Sequence, residues 1–96
     1  MGKGYDARKV IEEEDNGIFK FVKVKDPNDV MRYEFGSVET DHDRIVKLPD
    51  RPISAGFVVF DHWNGKAIIR VQKGGSMTLG MGPNATDQEG VEEALG

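Results

Sequence analysis

Two histidines of this chain sit among carboxylates, in Asp41-His42-Asp43 and in Asp61-His62. Imidazole and carboxylate together can ligate a divalent metal or pass a proton as general acid and base. Spacing argues against convergence. No known ligand frame matches, and neighbours in a strand such as Asp61 and His62 point to opposite faces. The Asp41–Asp43 run reads as a solvated loop. A metal-binding protein or metal-dependent enzyme built on Asp41, His42, Asp43, Asp61 and His62 is carried as an alternative. It needs the 41–43 loop folded against the tip of the hairpin that holds Asp61. The chain has no cysteine, which excludes thiolate catalysis, disulfides and thiolate-ligated metal. Ser37, Ser54 and Ser76 lie outside any G-x-S-x-G nucleophile context. No cofactor is implied.

Two further patterns bear on binding. In Gly17-Ile18-Phe19-Lys20-Phe21-Val22-Lys23-Val24, aromatic rings alternate with cations on one strand. Such a strand can stack bases and neutralise phosphates. A single-stranded nucleic-acid surface would use Phe19, Lys20, Phe21, Lys23, Lys25, Arg32 and Tyr33. Burial of Phe19 and Phe21, with lysines outward, is the simpler reading. The RNA-recognition signature is not met, since Lys20 stands for its small residue and Val24 for its last aromatic. Glycines are dense from Gly74 to Gly82, but Met81 and Gly82 replace the Lys and hydroxyl residue of a phosphate-binding loop. Within that segment Met77, Leu79 and Met81 alternate with Ser76, Thr78 and Gly80. The alternation predicts a last strand with an adaptable apolar edge, open to pairing with another chain.

Positioning falls to the strands. Asn64-Gly65 between 55–63 and 66–72 is a strong hairpin signal, because both central residues of a type I′ turn need positive φ. Residues 55–63 are apolar on both faces and read as an interior strand. In 66–72, Ala67, Ile69 and Val71 face one way and Ile68, Arg70 and Gln72 the other, as in a half-exposed neighbour. Asp26-Pro27-Asn28-Asp29 predicts the turn of a second hairpin between 18–25 and 30–35. Arg44–Leu48 reads as a short strand stopped by Pro49. Residues 6–15 read as a short helix with Asp6 as N-cap, an edge strand or loop being the alternative. Thr86-Asp87-Gln88-Glu89 matches a capping box ahead of a short helix.

Valine and isoleucine number 16 against three leucines, which favours strands. The expected fold is mainly β, a β-rich α+β domain. It is a small antiparallel roll, barrel or sandwich of about six short strands with a short C-terminal helix. The 96 residues make one domain: a flexible arm at 1–5, a β core at 16–82 and a helix at 86–95. A net charge of −4 disfavours nucleic acid and acidic membranes as global partners. No apolar run approaches a membrane span and no signal peptide opens the chain, so a cytoplasmic protein is expected. The favoured function is a non-enzymatic protein-interaction module of accessory or phage type. Its partner would be another protein or a second copy of itself, engaged through the Met77, Leu79 and Met81 edge.

Overall fold

The computed structural model describes residues 5–96, so apart from Tyr5 the expected flexible arm lies outside the described residues. The chain runs through a helix α1 (Ala7–Glu13) and strands β1 (Gly17–Lys25) and β2 (Met31–Gly36). One helical turn α2 (His42–Ile45) precedes strands β3 (Arg51–Trp63) and β4 (Lys66–Gln72), and helix α3 (Asp87–Leu95) closes the series. The strands form one antiparallel sheet in the order β2-β1-β3-β4. The β-rich α+β class is as expected. The arrangement differs: among the described residues four strands form instead of about six, in an open sheet instead of a roll, barrel or sandwich.

Both expected hairpins are present, and each is set by its turn. Asn64 and Gly65 take φ of 53° and 78°, the twist that suits a two-residue connection between right-twisted strands. The Asp26 carboxylate accepts from the backbone N–H of Asn28 and Val30 at 2.8 and 3.0 Å, holding the β1–β2 turn. Two expected strands are absent. Arg44–Leu48 is replaced by the turn of α2, because Ile45 must reach back against Gly36 and Val22 to be buried. Ser76–Met81 folds upon itself, with a bridge between Ser76 and Met81 in place of a ladder. Glycine permits this. A Cβ on Gly75 would stand 2.7 Å from the Met81 carbonyl oxygen, and Gly80 has φ of 66°.

Period-two alternation sorts the strands into two faces. On the first, Phe19, Phe21, Val58 and Phe60 are enclosed beneath Ala7 and Ile11 of α1 and Val91 of α3. Phe19 meets Phe35 edge-on at 5.6 Å between ring centroids, and Tyr5 packs against it. Such aromatic contacts add about 0.5–1.5 kcal/mol to the burial itself. Asp6 caps α1 by accepting from the Lys9 N–H. The expected capping box at Thr86 is not formed. Instead the buried Asp87 carboxylate accepts from the Tyr33 hydroxyl and the Asn84 N–H, both at 2.7 Å, and so anchors α3 to β2. On the second face a smaller cluster of Val22, Val24 and Ala55 lies under Ile45, Val46, Leu79 and Met81. Only half of this face is covered. Among the described residues α2 packs on β1 and β2, and its His42 ring meets Phe57 of β3.

Candidate functional site

The uncovered half of the second face is assembled by register. Ile18, Val59 and Arg70 stand abreast on β1, β3 and β4. Asp61 and Ile68 form the next row, and Trp63 pairs with Lys66 beside the hairpin turn. Ile18 is 46% exposed, Ile68 39% and Trp63 69%, while Val59 is half-buried. Beside Val59 and Ile68 lies a depression of about 250 Å³, lined by these two with Phe60, Asp61, Arg70 and Gln72. The result is an apolar strip on rigid strands, flanked by one carboxylate and one guanidinium. Exposed apolar surface rimmed by charge is the usual character of a protein contact. Three independent causes place it there. The Asn64-Gly65 turn fixes the β3–β4 register, β1 supplies Ile18 opposite Val59, and the chain after β4 turns back over Val22 and Ala55 instead of over Ile68.

The apolar edge expected at Met77, Leu79 and Met81 is not an edge. Leu79 and Met81 turn inward onto the Val22 cluster, whereas Met77 is 97% exposed. Near this segment the Gly82 carbonyl accepts one bond from the Ala55 N–H, where β4 no longer runs beside β3. The true β4 edge is partly occupied: Gln88 of α3 accepts from the Val71 N–H and donates to the Ile69 carbonyl, each at 2.8 Å.

Residues considered for nucleic acid divide between the faces. The rings of Phe19 and Phe21 are wholly enclosed by α1 and α3 and offer no surface for stacking. Lys23 lies over the Tyr33 ring at 5.7 Å on that same side. Lys20 projects from the other face, where its ammonium donates to the Thr40 carbonyl at 2.8 Å. Arg32 is bonded to both Glu34 and Asp50, and these partners hold its pKa above the ordinary value. Lys25 faces Asp29 at 3.6 Å. Burial, then the bond to Asp87, pushes the Tyr33 hydroxyl far above its ordinary pKa.

Nor do the histidines meet. His42 belongs to α2 instead of the expected solvated loop and is buried, its Nε2–H donating to the Gly56 carbonyl at 2.9 Å and its ring edge-on to Phe57. Burial lowers its pKa despite that bond, favouring neutral imidazole. Asp41 and Asp43 are exposed on either side of it. His62 lies on the helix-covered face and donates from Nδ1 to the Asp15 carbonyl at 2.8 Å, tying the central hairpin to the end of α1. Asp61 points to the opposite face, as strand alternation requires. Among the described residues, no three His, Asp or Glu side chains gather as a metal site.

Alternation along β4 puts Ile68 with Arg70 and Gln72 on its polar side. An isoleucine at a solvent-facing position was therefore already a signal of this surface. Ile18 and Val59 gave no such signal, because alternation alone does not reveal which part of a face is covered. Comparisons with protein-family models, with curated proteins and with solved structures find no match. Among the described residues, no helix is long and apolar enough to cross a membrane.

Proposed function

We propose that this chain is a non-enzymatic protein-interaction module that engages another protein chain through the open half of its sheet. The carrying observation is the exposure of Ile18, Ile68 and Trp63 beside Val59 on paired strands. Strand-borne side chains are already held in place, so little ordering entropy opposes their burial by a partner. Further support comes from the polar candidates for metal and nucleic acid. His42, His62, Tyr33 and Arg32 each bond to a group that fixes one element to another. The compartment we assign is the cytoplasm, following the sequence expectation.

Site-directed photocrosslinking in cells tests this reading. A photoreactive side chain at position 68 is expected to trap a protein. One at position 89, exposed on α3, is expected to trap none. Equal yields from both positions, or none from position 68, would overturn it.

A further inference from the structure

Resting on that reading, we infer that the occupant of the open half-face is a second copy of this chain, packed face to face about a two-fold axis along the Val59–Ile68 diagonal. Val59 pairs with Arg70 and Asp61 with Ile68 across β3 and β4, so the four side chains mark the corners of one quadrilateral. Its sides are about 4.8 Å across the strands and about 6.7 Å along them. One diagonal is apolar, Val59 to Ile68. The other is charged, Asp61 to Arg70.

A two-fold axis lying in the contact plane brings a surface onto itself. Set along the apolar diagonal, it stacks Val59 on the second copy's Val59 and Ile68 on the second copy's Ile68. The same rotation carries Asp61 over the second copy's Arg70, and Arg70 over its Asp61, making two ion pairs at once. Because the quadrilateral is not square, each charged pair is offset by about 3 Å, well within the span of an arginine side chain. An axis along the strands, midway between them, would press Asp61 onto Ile68 and Arg70 onto Val59. An axis across them, midway between the rows, would press Asp61 onto Val59 and Arg70 onto Ile68. Either leaves charges desolvated against apolar groups, which is costly. The diagonal alone satisfies all four residues.

Within the chain, among the described residues, neither Asp61 nor Arg70 takes part in an ion pair. Both are exposed. Among the described residues Asp61 accepts only from the N–H of its neighbour His62, through one of its two oxygens. Ile18, abreast of Val59, extends the apolar strip. Strands of the two copies would cross steeply, nearer the orthogonal class of sheet packing than the aligned one. A patch of this extent falls below the roughly 1,200 Å² of a standard interface, so the dimer is a weak and exchanging one.

Sedimentation velocity of the purified chain from micromolar to about 1 mM, at constant salt, reads the association directly. Concentration-dependent dimers are expected. Asp61→Arg and Arg70→Asp each set like charges against each other and are expected to weaken the dimer at least about tenfold. An equimolar mixture of these two variants is expected to restore it, since every altered charge then meets its opposite across the axis. Denaturation curves of both variants confirm that each remains folded. A chain that stays monomeric to about 1 mM overturns the inference, as does a mixture no tighter than its separate components. Crosslinks from position 68 separate the two levels. A different protein trapped there by a chain that is monomeric when pure overturns self-pairing and leaves the interaction module standing. No crosslink at all overturns both.

Discussion

The two faces of the sheet are made by alternate residues of the same four strands, yet they are closed by different means. One carries phenylalanines at positions 19, 21 and 60, which α1 and α3 enclose. The other carries valines at positions 22 and 24, and a helical turn and a folded loop cover it only in part. Helices bring a wide apolar stripe and satisfy their own backbone, so two of them can roof a whole sheet face. A glycine-rich loop must bond its backbone locally, as Ser76 does with Gly80 and Met81, and it covers only the strands beside it. The centre of the first face is therefore core, and the second is divided between core and surface.

Truncating each side in turn measures that difference. Phe19→Ala, beneath both helices, is expected to cost about 3–5 kcal/mol in chemical denaturation, whereas Val59→Ala on the open half should cost less than about 1 kcal/mol. Similar losses would erase the contrast. The roof itself is probed at α3. A Cβ on Gly90 would overlap the Tyr33 ring and hydroxyl, so Gly90→Ala should destabilise by about 1–3 kcal/mol although alanine is the better helix former. Tyr33→Phe removes one of the two bonds to the buried Asp87 carboxylate and is expected to cost a similar 1–3 kcal/mol or so. If both variants match the parent, α3 does not bear on β2 as described.

A smaller effect should appear under the second face. His42 has a lowered pKa in the folded chain, so below its unfolded value of about 6.5 the unfolded state binds more protons than the folded one. The stability it contributes is complete above that pH and is lost as pH falls through the folded value. Replacing it by His42→Gln, which keeps a donor for Gly56, should flatten that part of the stability–pH curve. An unchanged slope would locate the titration elsewhere. The smallest change is expected at the open surface. Ile68→Lys should alter unfolding by no more than about 0.5 kcal/mol while abolishing crosslinking nearby.

What the sequence made legible was local. Turn chemistry at Asn64-Gly65 and Asp26-Pro27 set both hairpins, and alternation along Ala67–Gln72 assigned side chains to the correct faces. Ile45-Val46 misled because two β-branched residues favour a strand. The deciding fact was that Ile45 had to reach a pocket beside Gly36, formed by residues distant in sequence. Met77, Leu79 and Met81 alternate as a strand would, but the flanking glycines let the segment close on itself. For the candidate site, the residues of β4 were legible and the vacancy above them was not. That vacancy depends on where α2 and the loop after β4 come to rest, which follows from the path of the whole chain.

Gln88 has a consequence that belongs to the unwanted chemistry of β proteins. Its carboxamide turns one acceptor and one donor towards β4 at the spacing of a peptide group, its second N–H going to Glu92, and it sits where an incoming strand would have to dock. Growth of a cross-β stack from that edge first requires α3 to be lifted away, together with the bonds that Asp87 makes beneath it. A single side chain thus acts as a terminator for templated polymerisation, much as a capping monomer ends a growing chain.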